Sequence, residues 1–564
     1  MVTRASQVAV LVAAVALWAC ESPARVKPWR HAPDPIAEAA KVPSSPAFAD
    51  VSAESEVRLA RGHTLRIHVD AEPGRLNPLV SPTTWGRRIT LGTVFEPLLR
   101  YVPPDAGQPA GRYGPRLARS WRVVTPPWGG LEIRIELEPN VTFHDGHPLT
   151  SSDVQFTLDA IRDPRRGVDH LRAMLDDVDA VELITSTEVR LVLKRPSGWV
   201  MRALAEIPIL PMHIYNDGFA AGGALVGSGP WKVTSNKSGT VHLTRHDNYW
   251  ARKAAISDVE FVYQPDAAIA LKDAKRGDFD IIPALIPAHY PEQANAPGIS
   301  AAFKPLELRP PRLRYLSFNA KKSPLDDARV RHALALLVDR KEIGERHFDR
   351  LARPALWPIW PGGFVHGVEA AIPAFDPKAA GALLDAAGWT DSDKDGIRDR
   401  AGTQLRMTMI GTERSVPKDA ATPSSTLPRE YLIEAARRIG VVIELKTGGD
   451  QWLAKRIEEG SYHLVELQWT GMVDMNVGPR LGSSDPLRAA SPRIDRVLES
   501  MAAVWDPAER AKLAGELGAA LAETWPIAGI TTDAPQGLVH RRVKGVRIWD
   551  GWIDLTQLSF DDKP

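Results

Sequence analysis

Residues 140–154 read Asn140-Val-Thr-Phe-His-Asp-Gly-His-Pro-Leu-Thr-Ser-Ser-Asp-Val154. This pattern predicts a strand, a tight turn at Asp145-Gly146 and a helix start with Ser151 or Asp153 as the N-cap. Glycine suits such a turn because it adopts positive φ without a steric cost. We therefore expect these motif residues to serve the architecture of the fold.

Four further segments follow in order along the chain, and each alone is weak evidence. They are Gly227-Ser-Gly-Pro-Trp231 with Asn248-Tyr249-Trp250; Leu316-Ser-Phe-Asn319 leading through Pro324-Leu-Asp-Asp-Ala-Arg-Val-Arg331 into Ala335-Leu-Leu-Val-Asp-Arg-Lys341; Phe375-Asp-Pro-Lys-Ala-Ala-Gly-Ala-Leu-Leu-Asp-Ala-Ala-Gly-Trp389; and Trp469-Thr-Gly471. Taken together, the five segments closely resemble the extracytoplasmic solute-binding proteins of the peptide/nickel ABC-transporter class, the family 5 solute-binding proteins.

The resemblance implies an α/β fold, a two-lobed periplasmic-binding-protein clamshell with an extra inserted subdomain. Two crossing strands would form the hinge, and the lobes would close on a ligand held between them. The alternating strand pattern at Leu131–Leu137 and the helical stripe after Asp327 agree with this class. The implied boundaries are 62–100, 223–310 and 486–564 for the first lobe, 101–222 for the inserted subdomain and 311–485 for the second lobe.

Composition limits the class of partner. The chain has 564 residues, 44% of them hydrophobic, which is ample for a folded core. Seventy Lys and Arg residues against 69 Asp and Glu leave a net charge of +1. Because binding to phosphates needs a basic excess, we expect no nucleic-acid partner.

The N-terminus predicts export. An unbroken apolar run from Val8 to Ala19 is too short to span a membrane but suits a signal peptide. The run ends in Leu-Trp-Ala-Cys20, which resembles a bacterial lipobox, and Cys20 is the only cysteine of the chain. We expect 1–20 to be a lipoprotein signal peptide and 21–61 a Pro/Ala-rich tether. The alternative is an ordinary cleaved signal with an incidental cysteine.

Catalytic motifs are absent from the sequence. It contains no G-x-S-x-G, no H-E-x-x-H, no G-x-x-x-x-G-K-[ST] and no dinucleotide-binding glycine motif after a strand. We therefore expect a binding protein without a cofactor. An enzyme of this fold stays a third alternative, since catalytic groups converge in space and not in sequence.

Segments that face the ligand cleft in the resembled family supply the candidate binding residues. These candidates are Thr84, Trp85, Trp452, Trp469, Met472 and Asp474. Indole offers area, a stacking face and one N–H donor, although core packing is the alternative for any tryptophan. Peptide-binding relatives commonly carry an aspartate three residues after this last tryptophan, and here that position is Met472. Either Asp474 replaces that carboxylate or the ligand is not a free-amine peptide.

Residues 391–399 read Asp391-Ser-Asp-Lys-Asp-Gly-Ile-Arg-Asp399 and resemble a calcium loop. The candidate ligands are Asp391, Asp393, Asp395 and Asp399. The twelfth position, however, is Gly402 instead of a bidentate glutamate. The alternative is a solvated hairpin loop without a metal.

These features favour a lipid-anchored receptor in the periplasm or cell envelope that presents a small solute, peptide or peptide-like, to an ABC permease. We expect a monomer that touches the membrane through its lipid anchor only. The alternative is a sensory or regulatory binding protein that signals ligand occupancy to a partner receptor.

Overall fold

The computed structural model describes residues 64–561 apart from 75, 78, 81–82, 103–110, 127–129, 217–224, 287–288, 309–311, 348–351, 358–370, 413–427, 471–480, 482–490, 505, 534 and 550–551. The described chain forms two compact units. The first unit comprises residues up to 308 together with those from 535 onward, and the second unit comprises 312–533. Both units contain strands and helices, as the predicted α/β class requires.

Residues 64–308 contain twelve strands and seven α-helices within the described ranges. The strands are β1 (Thr64–Val69), β2 (Leu99–Val102), β3 (Arg112–Pro115), β4 (Ala118–Val124), β5 (Leu131–Leu137), β6 (Val178–Thr185), β7 (Glu188–Leu193), β8 (Trp231–Lys237), β9 (Thr240–Arg245), β10 (Asp258–Tyr263), β11 (Ile281–Ile282) and β12 (Phe303–Glu307). The helices are α1 (Thr84–Thr90), α2 (Ser151–Arg162), α3 (Asp169–Arg172), α4 (Gly198–Glu206), α5 (Met212–Tyr215), α6 (Ala267–Lys275) and α7 (Pro297–Ala302).

The second unit contains eight strands and seven α-helices within its described ranges. The strands are β13 (Arg312–Phe318), β14 (Ala352–Pro354), β15 (Asp399–Arg400), β16 (Thr403–Gln404), β17 (Arg406–Thr412), β18 (Val442–Gly448), β19 (Leu464–Thr470) and β20 (Ile527–Asp533). The helices are α8 (Ala328–Leu336), α9 (Arg340–Glu342), α10 (Pro377–Ala386), α11 (Pro428–Arg438), α12 (Asp450–Glu459), α13 (Pro492–Ala503) and α14 (Pro507–Thr524).

The C-terminal segment returns to the first unit with five short strands. They are β21 (Gln536–His540), β22 (Val543–Lys544), β23 (Ile548–Trp549), β24 (Trp552–Ile553) and β25 (Ser559–Phe560). Strand β21 is hydrogen-bonded between β12 and β11 in a seven-stranded sheet of order β12-β21-β11-β1-β10-β9-β8. The centre of this sheet is β1, whose Leu65, Ile67 and Val69 are fully buried and which runs parallel to both β10 and β11.

A second, antiparallel sheet in the first unit has the order β4-β5-β7-β6. The predicted strand Leu131–Leu137 is its β5, and Ile133 and Ile135 on one face are buried. Helix α2 begins at Ser151, but its N-cap is Thr150 and not Ser151 or Asp153. Asp153 instead closes a capping box, since its carboxylate accepts the backbone N–H of Thr150 at 2.9 Å.

The second unit is built on a six-stranded mixed sheet of order β14-β20-β13-β19-β17-β18. Helix α8 is capped by Asp327, as its sequence predicted, and Asp327 accepts the N–H of Arg329 at 2.9 Å. Helix α10 starts with Pro377 at its first position, and the chain leaves it through Gly388 at φ +84°. No helix in the described part of the chain is long and apolar enough to cross a bilayer.

The predicted boundary at residue 486 is corrected by the structure. Residues 491–533 lie in the second unit, and only 535–561 belong with the first. The reason is packing: Ile494 of α13 and Leu521 of α14 lie in one core with Leu313 and Phe318 of β13. Strand β20 completes the arrangement, because it is hydrogen-bonded between β14 and β13.

Candidate functional site

The first turn of α1 carries two of the predicted ligand-binding residues, Thr84 and Trp85. Thr83 caps this helix, since its hydroxyl accepts the backbone N–H of Gly86 at 2.9 Å. Thr84 is half-buried, whereas Trp85 is only 4% exposed. The indole N–H of Trp85 donates to Asp70 Oδ1 at 2.6 Å. Its orientation is therefore set by contacts within its own unit.

A second indole accompanies Trp85. Trp552 of β24 stands edge-on to it, with ring centroids 5.3 Å apart. The guanidinium of Arg88 lies 4.6 Å from the Trp552 centroid and 5.1 Å from that of Trp85. Sequence reasoning missed Trp552, because only the return of the C-terminal segment brings it to α1. The excess of 17 Trp over 13 Phe was the one signal for such aromatic clusters.

The two predicted tryptophans of the second unit differ in exposure. Trp469 of β19 pairs with Leu313 in the sheet and is 4% exposed. Trp452 of α12 is half-buried and packs against the same core from its edge. Its ring lies so close to Gly448 that a Cβ there would be 2.5 Å from Trp452 Cδ2. Trp452 is therefore partly open to solvent, with the guanidinium of Arg456 5.6 Å from its ring centroid, while Trp469 is mostly a core residue.

Three predicted residues lie outside the described residues: Cys20, Met472 and Asp474. The lipid anchor and the replacement of a missing carboxylate by Asp474 thus stay predictions. The same holds for ligand contact by Thr84 and the three tryptophans.

A buried polar cluster centred on Glu96 was not predicted. The carboxylate accepts hydrogen bonds from Tyr249 OH at 2.7 Å and from Trp250 Nε1 at 3.0 Å. It also accepts one from Ser228 Oγ at 3.0 Å, and Arg116 Nε lies 2.5 Å away. Burial, and then the charge of Glu96, raise the pKa of the Tyr249 hydroxyl, so it remains a donor. The cluster ties the Gly227–Trp231 motif to Tyr249 and Trp250.

The glycines of that motif allow a close backbone approach, as predicted. A Cβ on Gly227 would lie 1.9 Å from the carbonyl oxygen of Val94, and one on Gly229 would lie 2.2 Å from that of Thr93. The backbone N–H of Gly229 donates to Val94 at 2.9 Å. The motif is therefore architectural.

The acidic loop brings three of its four candidate carboxylates together. Atoms of Asp391, Asp393 and Asp395 lie within 4.8 Å of one another, and all three residues are exposed. Asp399 does not join them, because its carboxylate accepts the N–H and the hydroxyl of Ser392 at 2.7–2.9 Å. These bonds lower the pKa of Asp399 below its usual range. Calcium binding by this loop stays a prediction.

The fold has two α/β units, and the first unit carries an added antiparallel sheet. This is the fold of the two-lobed periplasmic binding proteins. HbpA2 from Haemophilus parasuis has this fold, with a TM-score of 0.75 over 88% of this chain and 100% of that chain. The two sequences are 22% identical, so this likeness concerns the fold alone.

The chain belongs to the bacterial extracellular solute-binding proteins, family 5. The family model, described as the middle region of these proteins, matches residues 112–479, more than half of the chain. This match confirms the resemblance that the five motif segments carry.

Two curated relatives show the range of ligand names within the family. The oligopeptide-binding protein AppA of Bacillus subtilis is 28% identical over 343 residues, which are 58% of this chain and 60% of that protein. The nickel-binding periplasmic protein of Escherichia coli is 26% identical over 406 residues, 70% of this chain and 72% of that protein. Both relatives are named as binding proteins and not as enzymes.

Proposed function

We propose that this chain is the lipid-anchored solute receptor of an ABC importer and that it captures a small solute, peptide or peptide-like, between its two lobes. The family match over residues 112–479 carries this proposal. The relatives named for oligopeptides and for nickel support delivery of a solute to a transporter.

Capture follows from a two-state equilibrium. A solute that contacts both lobes favours the closed state by the difference between its affinities for the closed and open forms. A shift from 1:99 to 99:1 requires about 5.5 kcal/mol of that difference. A buried ligand of several polar and aromatic contacts supplies energies of this order without any covalent step.

Native mass spectrometry of the chain purified from its source tests the receptor function. We expect a native mass above that of the chain, with the excess lost on denaturation as a small molecule that can be weighed. Equal native and denatured masses, with no solute detected by calorimetry, would argue against a receptor. Permease and ATPase genes beside its gene would support import, whereas a sensor kinase gene would support the signalling alternative.

The anchor is proposed separately, on the apolar run that ends at Cys20. Because no other thiol exists in the chain, Cys20→Ser should abolish lipidation and leave the protein unprocessed or in the aqueous phase. Detergent partitioning and incorporation of radiolabelled palmitate measure this. Unchanged behaviour of the variant would refute the anchor and leave the receptor function untouched.

A further inference from the structure

A surface cluster of two histidines and one aspartate consists of Asp145, His147 and His213, none of which is among the predicted ligand-binding residues. His213 Nε2 is 2.7 Å from Asp145 Oδ2, and His147 Nδ1 is 3.3 Å from Asp145 Oδ1. The two imidazole rings are stacked, with centroids 4.0 Å apart and planes inclined by 29°. One potential ligand atom from each residue lies within 4.8 Å of the other two.

The turn at residues 143–147 fixes the backbone that carries Asp145 and His147. Gly146 takes φ +92°, and the turn closes by hydrogen bonds of 2.8–2.9 Å between Phe143, Gly146 and His147. Asp145 Oδ1 accepts the backbone N–H of His147 at 3.1 Å, which orients its carboxylate.

Helix α5, which carries His213, is also fixed by contacts outside the cluster. Helix α5 is tied to α2 because the N–H of Met212 donates to Asp153 Oδ1 at 2.9 Å, and Tyr215 at its end is buried. The ring of Phe143 stands edge-on to that of His213 at 6.1 Å. The backbones that carry the three side chains are thus fixed independently of the cluster, while the side chains themselves reach solvent.

We propose that Asp145, His147 and His213 bind a late first-row divalent metal ion, with Zn²⁺ as the reference ion. A tetrahedral zinc ion with bonds of 2.0–2.2 Å separates its donor atoms by about 3.3 Å. The 3.3 Å between His147 Nδ1 and Asp145 Oδ1 matches this separation. The 2.7 Å between His213 Nε2 and Asp145 Oδ2 would have to widen by about 0.6 Å when the ion replaces the hydrogen bond. Imidazole nitrogen suits zinc, copper and nickel, whereas calcium prefers an all-oxygen set. Water would fill the remaining coordination position, since the cluster opens to solvent.

The metal would act as a cross-link between distant parts of the chain. Asp145 and His213 are 68 residues apart in sequence, and the ion would join the Phe143–His147 turn to α5. An ion that binds the native state alone stabilises it by mass action. None of the residues proposed for the solute belongs to this metal site, so the failure of one proposal leaves the other unaffected.

The test is a Zn²⁺ titration of the full chain, made without a histidine tag and stripped with EDTA. Calorimetry gives stoichiometry and affinity, and Co²⁺ absorption reports the coordination geometry. His147→Ala removes an exposed ligand, so folding should persist, and His213→Gln removes the second. We expect each variant to lose this site or to bind Zn²⁺ at least about tenfold more weakly, since even outer-shell changes cost 10–100-fold.

The chain offers a matched control in His242. Its Nε2 lies 3.2 Å from Asp258 Oδ1, and its exposure is the same as that of His213, but within the described ranges no second imidazole completes a three-ligand group with this pair. His242→Ala should leave the affinity and the number of Zn²⁺ ions bound unchanged. Absence of Zn²⁺ binding by the parent chain would overturn the proposal. So would affinities in His147→Ala and His213→Gln equal to that of His242→Ala.

Discussion

The carboxylate of Glu96 is fully buried and depends on its neighbours for compensation. An isolated buried charge is very costly, so Arg116 and the three neutral donors around Glu96 together make the burial tolerable. These partners come from three separate parts of the first unit, namely Arg116, Ser228 and the adjacent pair Tyr249 and Trp250. The cluster therefore joins the Gly227–Trp231 segment to Tyr249 and Trp250 through contacts between residues that are distant in sequence.

Removal of the charge should be destabilising. Glu96→Gln removes the carboxylate paired with the largely buried guanidinium of Arg116, and breaking a buried pair costs about 3–5 kcal/mol. We expect urea unfolding of the full chain to show a loss of this size in the transition of the first unit. Glu260→Gln is the matched control, because Glu260 pairs with Arg66 at 2.8 Å on the surface and should cost at most about 1 kcal/mol. Equal losses in the two variants would contradict this account.

The tryptophans show where residue-level prediction stops. Trp85, Trp452 and Trp469 have the same chemistry in the sequence, yet Trp85 and Trp469 are almost fully buried and Trp452 is only half-buried. An indole serves equally well in a core and in a binding site. Exposure depends on the elements that pack over it, and these come from remote parts of the chain.

At the scale of elements, His463 joins the neighbouring strands β17 and β19. The ring Nδ1 of His463 accepts the backbone N–H of Thr408 at 2.9 Å, and the backbone N–H of His463 donates to the carbonyl oxygen of Thr408 at 2.9 Å. Burial, aided by the charge of Lys322, lowers the pKa of His463 to about 4. Because Nδ1 accepts this hydrogen bond only when it is unprotonated, the neutral form of the ring links β19 to β17.

This histidine should make the second unit sensitive to acid. Between pH 6.5 and about 4 the unfolded chain binds a proton that the native ring refuses, so the contribution to stability is complete above 6.5 and is lost as the pH falls through 4. His463→Asn offers an amide oxygen to Thr408 without titrating. We expect the urea midpoint of this variant to fall less steeply over that pH range. An unchanged slope would show that His463 does not control the acid response.

The acidic loop before β15 satisfies most of its own carboxylates. Asp391 accepts the N–H of Gly396 at 3.1 Å, and Asp395 accepts the side-chain N–H of Gln404 at 2.6 Å. Asp399 is engaged by Ser392. A calcium ion normally takes six to eight oxygens, and Gly402 supplies no side-chain oxygen at the twelfth position.

We therefore expect millimolar Ca²⁺ to leave the melting temperature unchanged. The double variant Asp393→Ala/Asp395→Ala serves as the control and should respond to Ca²⁺ as the parent chain does. A rise in the parent that the double variant lacks would instead establish calcium binding through mass action on the native state.

At the scale of the whole molecule, the family and the α/β class could be predicted, but the course of the chain could not. Local signals sufficed for β5, α8 and α10, because alternation and capping residues act over a few positions. Helices α13 and α14 were assigned to the wrong lobe. An apolar helix face can pack against either core. Only tertiary contacts, such as that of Ile494 with the core around Leu313, determine the unit to which each helix belongs.

The class of ligand is a property of the whole molecule, and the sequence supports one prediction about it. The family resemblance implies an aspartate three residues after Trp469 in peptide-binding members, whereas this chain has Met472, which offers only a polarizable apolar surface. A buried ammonium without a partner is very costly, and charge-assisted hydrogen bonds to it contribute about 1.5–3 kcal/mol each. A free-amine peptide would therefore need Asp474.

Calorimetry with a random di- to pentapeptide library, on refolded ligand-free protein, separates the two ligand classes. We expect no tight peptide binding, because Met472 offers an apolar surface and no carboxylate to a ligand ammonium. Binding that Asp474→Asn abolishes would keep the peptide class and place the amine anchor at Asp474. Tight binding that survives Asp474→Asn would refute the argument from Met472, since the ammonium would then be held by another group.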